Sequence, residues 1–138
     1  MELVNKLDYK NIISLKSVSD KNIKLEKILK KKFKFKNFYS DYKKILHDKE
    51  IDVVLILTSM KEHAAIAKEA LLNKKHVLVE KPMATNMKDL RELNQLAKKS
   101  KTFLIAAPFV ILSPTFQAIH QELKKNTIGK VSLARARY

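Results

Sequence analysis

The sequence predicts an α/β fold with a mainly parallel sheet, on three observations. Short apolar segments recur along the chain, and each is followed by a stretch whose apolar residues fall at helical spacing. The strongest of them, IDVVLILT at 51–58, is β-branched and nearly uncharged, the composition of a parallel strand covered on both faces. Strand-like and helical segments alternate along the chain, which is the order that builds βαβ units.

Each element has its own reason. NIISLKSVSD alternates Ile13, Leu15 and a smaller Ser17, ends on Asp20, and reads as a strand. KNIKLEKILKKKF sets Ile23, Leu25, Ile28 and Leu29 near one face of a helix. FKFKNF is expected as a short edge strand, with Phe33 and Phe35 on one side and lysines on the other. SDYKKILHD opens on Ser40, a good N-cap, and buries Tyr42, Ile45 and Leu46 in a short helix. After IDVVLILT, KEHAAIAKEALLNKK aligns Ala65, Ile66, Ala70 and Leu71 as an apolar helix face. Asn73 is placed there for a left-handed C-cap. HVLV at 76–79 is a buried strand. TNMKDLRELNQLAKKSK follows as a helix capped by Thr85 or Asn86, with Met87, Leu90, Leu93, Leu96 and Ala97 inward. TFLIAAP is another buried strand. SPTFQAIHQELKKN starts a helix on Ser113, with Pro114 at the first helical position. IGKVSLARARY alternates Val131 and Leu133 with polar residues and reads as a strand just begun.

Composition narrows the functional classes. With 138 residues, 46% of them hydrophobic, the chain can form one domain with a real core despite 31% charged residues. The absence of cysteine excludes disulfides and thiolate metal sites and fits a reducing compartment. The first residues, MELVNKLDYKNIISL, carry charges throughout, unlike a signal peptide or an anchor. No apolar run approaches the roughly 20 residues of a spanning helix. A cytoplasmic location and no membrane partner are therefore expected. The net charge of +15 is made of lysine, since only Arg91, Arg135 and Arg137 among 29 basic residues are arginines. Base readout and bidentate phosphate clamps favour arginine, and no stacking aromatics interleave KILKKKFKFK in a recognisable module. The lysines read as solvated faces, and no nucleic-acid partner is expected. Gly129 is the single glycine, against an average usage of about 7%, so no glycine-rich phosphate loop can exist here.

In open α/β sheets, ligands bind outside the carboxyl ends of the strands. The polar residues at those ends are Asp20, then Thr58 and Ser59, then Glu80-Lys81-Pro82, with Pro108 after the last strand. Any one of them alone reads equally as a turn former, and Asp20 as a helix cap. Together they carry a resemblance. Residues 50–108 closely resemble the glucose–fructose oxidoreductase / inositol dehydrogenase / MocA (Gfo/Idh/MocA) family of NAD(P)-dependent dehydrogenases. Thr58-Ser59-Met60-Lys61-Glu62-His63 stands where that family has a pattern like T-P-N-x-x-H, and Glu80-Lys81-Pro82 matches its E-K-P. KSVSD resembles the family's second strand, and NTIGKVSLARARY the passage into its C-terminal sheet domain, while residues 1–40 match more loosely.

What the resemblance implies is specific. The expected fold is a partial Rossmann-type, doubly wound parallel sheet lacking its first strand and glycine-rich turn. Residues 1–127 would form a partial dinucleotide-binding domain, and 128–138 the start of a C-terminal substrate domain. ELVNKLDYKNI looks like the tail of the family's first helix, so the chain is expected to be an internal piece, truncated at both ends. The implied cofactor is NAD or NADP, with the missing turn counting against binding by this chain itself. Asp20 would accept from a ribose diol, which favours NAD. Thr58 and Ser59 would line the cofactor, joined by His63, for which a buried capping role is the alternative. Lys81 would lie beside the nicotinamide and hydrogen-bond the hydroxyl being oxidised, as the catalytic residue. Glu80, Lys81 and Pro82 would also stand among the cofactor-binding residues, Glu80 holding the local geometry, with the Lys81–Pro82 peptide cis. The implied substrate is a sugar, polyol or related alcohol, no metal is implied, and intact members are commonly homo-oligomers. APFVILSP departs from the family's more polar signature at this point, so substrate class is not carried over. The alternative reading is a non-catalytic remnant acting as a protein-interaction module.

Overall fold

Alanine lies where the helix at 60–72 meets the sheet, and the packing is arranged around that contact. The computed structural model describes residues 13–107 and 109–135. Its elements are β1 (Ser17–Ser19), α1 (Leu25–Lys32), β2 (Asn37–Tyr39), α2 (Lys43–His47), β3 (Val53–Ile56) and α3 (Met60–Leu72). They continue with β4 (His76–Val79), α4 (Met87–Ser100), β5 (Leu104–Ala106), a 3-10 turn (Phe109–Leu112) and α5 (Pro114–Lys124). All strand pairing is parallel, in a two-stranded sheet β1-β2 and a three-stranded sheet β3-β4-β5. The α/β expectation therefore holds. Among the described residues no strand joins β1 to β3. Lys16 reaches across from the β1 side to ion-pair with Asp48, at 2.9 Å, and with Glu50.

Register explains which side chains are buried. One set of rows aligns Val54 with Val77 and Leu104, then Ile56 with Val79 and Ala106. These rows lie under α3 and α4, whose Ile66, Ala67, Ala70, Leu71, Leu93 and Ala97 complete the core with Leu46 of α2. The alternate rows, Val53 with His76 and Leu55 with Leu78 and Ile105, face the other way, and Val53 is 59% exposed. IDVVLILT was expected to be covered on both faces. It is covered on one, because right-handed crossovers from β3 to β4 to β5 place both connecting helices on the same side. Ala67 and Ala70 have no exposed surface. Their small side chains let α3 lie close to β4 and α4, and Ala65, expected inward, faces solvent in their place. Lys75 is also buried, with its ammonium donating to the carbonyls of Asp48 at 2.6 Å and Ile51 at 2.7 Å. It thereby ties the loop between α2 and β3, where the Asp48 carbonyl also accepts from the Ile51 amide.

Several local expectations shift. The second strand forms at Asn37–Tyr39 rather than through Phe33 and Phe35, because Phe33 closes α1 by donating to Leu29 at 2.8 Å. The ladder begins where Lys36 and Asn37 both donate to Lys16. The turn into α2 is made by Asp41, whose Oδ1 accepts from the Lys43 amide at 2.9 Å, and the N-cap position falls on Tyr42 rather than Ser40. Met87 is 59% exposed, one turn too early to reach the core. Residues 131–135 form no strand, and Arg137, Pro108 and ELVNKLDYKNI lie outside the described residues. Two caps are as expected: Asn86 accepts from the Asp89 amide, and Ser113 from the Phe116 amide ahead of Pro114. Among the described residues no helix is long and apolar enough to cross a membrane, and no group of three or more His, Cys, Asp or Glu could hold a metal.

The left-handed position after α3 belongs to Lys74, at φ 58°, rather than Asn73. Asn73 instead turns its side-chain amide back to the Glu69 carbonyl at 2.8 Å. Lys101 holds the same position after α4, at φ 57°, where Thr102 donates back to Ala97. A Cβ in this region costs about 1–2 kcal/mol relative to the right-handed one, a cost glycine avoids. Lys101→Gly should therefore raise stability by roughly 0.5–1 kcal/mol despite the greater unfolded-state entropy of glycine. A two-state urea melt measures this, and an unchanged or lower midpoint would count against it.

Candidate active site

Parallel strands deliver their carboxyl ends to one rim. β1 ends at Asp20, whose amide donates to Tyr39 of β2 and whose Oδ1 accepts from the Asn22 amide at 2.7 Å. β3 is followed by Thr58 and Ser59, both exposed. β4 ends in Glu80-Lys81-Pro82, where the Lys81–Pro82 peptide is cis as expected. The Glu80 amide donates to Ile56 at 2.9 Å, the last ladder bond between the two strands. Glu80 then turns its Oε1 onto the Lys81 amide at 3.1 Å, while the Lys81 side chain stands exposed. The carboxylate of this dipeptide serves the main chain, and the ammonium is left to solvent.

The first turn of α3 ties these ends together. Lys21, next to Asp20, donates to Glu62 Oε1 at 2.8 Å, and Ser59 Oγ donates to Glu62 Oε2 at 3.1 Å. His63 follows, 1% exposed. Its Nε2 lies 3.0 Å from the Thr58 carbonyl and its Nδ1 2.8 Å from the Pro82 carbonyl. A line of polar contacts thus runs from the β1 exit through Glu62, Ser59 and Thr58 to Pro82. Asp20, Thr58, Ser59, Glu80, Lys81 and Pro82 all stand on this rim, whereas the His63 ring points into the protein, between two main-chain carbonyls. Asp20 makes a local turn onto the Asn22 amide, but it caps no helix at Lys21, since α1 begins at Leu25.

Lys21 and Glu62 were not foreseen as part of the site. The spacing of Ser59 and Glu62 was the available signal, since serine with glutamate three residues on is a helix-start pattern. Here the pair points outward to Lys21. The Lys21 ammonium, aided by the Ser59 hydroxyl, holds the Glu62 carboxyl below its ordinary value, and Glu62 raises Lys21 in return. On the core side of the same helix, burial first and then the Glu69 carboxylate push the Tyr42 hydroxyl up.

An exposed ammonium, a strand-end acid and a hydroxyl pair at the carboxyl ends of parallel strands are the arrangement of a nucleotide-binding α/β domain. The family model for the oxidoreductase family with NAD-binding Rossmann fold matches residues 4–107. The chain belongs to this family, the Gfo/Idh/MocA oxidoreductases. Trans-1,2-dihydrobenzene-1,2-diol dehydrogenase of Danio rerio is 35% identical over 98 residues, covering 71% of this chain and 29% of that protein. The Xenopus laevis enzyme of the same name is 33% identical over 100 residues, covering 72% of this chain and 30% of that protein. A probable dehydrogenase from Thermotoga maritima superposes with a TM-score of 0.80 at 26% identity, over 88% of this chain and 37% of that one. Levoglucosan dehydrogenase in complex with NADH and levoglucosan does so with a TM-score of 0.77 at 27% identity, over 83% of this chain and 31% of that one. The chain spans about 30% of the length of the two dehydrogenases compared by sequence.

Because Glu62 is held lower folded than unfolded, its pairing stabilises the fold above the ordinary glutamate range and is lost as pH falls through the lowered value. A carbon-detected NMR titration should place the Glu62 midpoint below that of a reference glutamate. Lys21→Ala should return it toward the ordinary range, and an unmoved midpoint would show that Lys21 is not the cause.

Proposed function

We propose that this chain supplies the adenosine-ribose and nicotinamide-side contacts of an NAD-dependent dehydrogenase acting on a sugar, polyol or diol. The observation that carries the reading is the line of contacts along the strand ends, which sets Asp20, Thr58, Ser59 and Lys81 on one rim with the Lys81 ammonium exposed. The donor set suits the two ends of a dinucleotide. Asp20 Oδ1 accepts from Asn22, and no partner among the described residues takes Oδ2, the atom a ribose diol would reach. A 2′-phosphate there would meet a like charge, so NAD is favoured over NADP. No glycine lies within residues 4–107, so the pyrophosphate has no glycine-rich turn in this chain.

When bound, the nicotinamide accepts or supplies the hydride. The rest falls to this chain's residues. An alcohol becomes a carbonyl by losing a proton from oxygen to solvent and a hydride from carbon, and negative charge gathers on that oxygen as the proton leaves. Lys81 donates to it there, where a positive donor stabilises the transition state more than the ground state. Glu80 holds the Lys81 main chain, and Thr58 and Ser59 orient the nucleotide. A second reading, a protein-interaction module, draws on the exposed row of Val53, Leu55 and Ile105.

Calorimetric titration of the enzyme that contains this segment with NAD and NADP tests the first reading, which expects NAD to bind more tightly and Asp20→Asn to erase the preference. No heat with either nucleotide would favour the second. In the enzyme that contains this segment, Lys81→Ala should lower kcat by about 10²–10³-fold. Its NAD affinity should change by less than about twofold, because the ammonium acts on the reacting oxygen. Weakened NAD binding with normal turnover at saturation would overturn that role.

A further inference from the structure

We propose that His63 is a positioning residue for Lys81, cross-tying the loops that leave β3 and β4. The inference rests on the reading of Lys81 given above only for what the tie is for. The geometry stands by itself. The ladder between β3 and β4 ends at the bond from Glu80 to Ile56, and beyond it each strand leads into its own loop. The His63 ring fills the interval, 2.8 Å from the Pro82 carbonyl and 3.0 Å from the Thr58 carbonyl. A ring nitrogen ties the carbonyl it faces only by offering it an N–H, since a lone pair would leave that carbonyl without a donor from the ring. The neutral ring has one N–H to donate, and the doubly protonated ring has two, one for each carbonyl.

The ring is a firm anchor because its helix is. His63 lies on the first turn of α3, and Ile66, Ala67, Ala70 and Leu71 hold that helix in the core. Fixing the Pro82 carbonyl fixes the peptide plane beyond a residue whose φ is already locked by its ring. The main chain of Lys81, one residue earlier, is thereby referred to the core instead of to a free loop. Its side chain remains exposed for a ligand. Thr58 is held by the same ring, so the two sides of the cleft keep a set separation.

The test uses the full chain, isotope-labelled and without cofactor. His63→Phe keeps a planar ring and removes both ties, while His63→Gln returns an N–H donor. Hydrogen exchange at the Glu80 and Lys81 amides should quicken on the order of tenfold in His63→Phe. Most of that protection should return in His63→Gln, with Val77 and Val79 amides unchanged throughout. Unaltered exchange in the Phe variant, or a Gln variant as loose as Phe, would overturn the proposal. Should His63→Phe fail to fold, the parent chain decides by itself. A His63 ring N–H in slow exchange with solvent supports the tie, and its absence refutes it. Because no nucleotide is present, failure here leaves the dehydrogenase reading untouched, and failure of NAD to bind leaves the tie standing.

Discussion

The close approach of α3 to β4 and α4 is the constraint from which the remaining structure follows. It is possible because Ala67 and Ala70, both without exposed surface, stand where a larger side chain would hold the helix off. An extra branched side chain forced into such a contact typically costs about 1–3 kcal/mol through shifted backbone and strained rotamers. With the helix at that distance, Leu71 and Leu93 fill the space over Val77 and Val79. The first turn of α3 then emerges at the strand ends with Glu62 and His63 in place. The site inherits its geometry from a packing contact one helical turn further into the core.

That dependence separates what was legible in the sequence from what was not. The alternation of strands and helices was readable, because each segment carried its own periodicity and its own start signal, as Ser113-Pro114 and Asn86 did. The Glu80-Lys81-Pro82 exit was readable because three unusual residues follow a buried strand directly. The ends of elements were less so. Phe33 and Phe35 alternate with lysines as an edge strand would, yet Phe33 is needed to close α1, and the ladder starts only when Lys36 and Asn37 find the Lys16 carbonyl. Glu62 escaped notice because its partner, Lys21, is distant in sequence, and a lysine among so many carries no signal of its own. His63 was visible as a position, but the inward turn of its ring depends on two carbonyls that only the folded chain brings together.

The scarcity of glycine has a local counterpart in the backbone. Lys74, Lys101 and Asn126 all stand at positive φ, and Gly129 is the one glycine to do so. Where glycine is common at helix ends because it has no Cβ to clash, this chain uses side chains that accept the strain. Both lysines are exposed, so their ammonium groups stay solvated near the negative end of a helix, a favourable place for a cation.

The separation between β1 and β3 has a consequence for how the molecule responds to its medium. Within each sheet, strands are joined by ladder bonds between uncharged groups, which added electrolyte hardly touches. Between the sheets, the described side-chain ties are Lys16 with Asp48 and Glu50, and Lys21 with Glu62, all of them ionic. At 0.15 M the screening length is about 8 Å, and near 1 M it falls to about 3 Å, comparable to the ion-pair separations themselves. Rising ionic strength therefore weakens these ion pairs while leaving the ladders within each sheet intact. The rim built across them, with Asp20 on one side and Lys81 on the other, is the part of the protein whose geometry salt can tune.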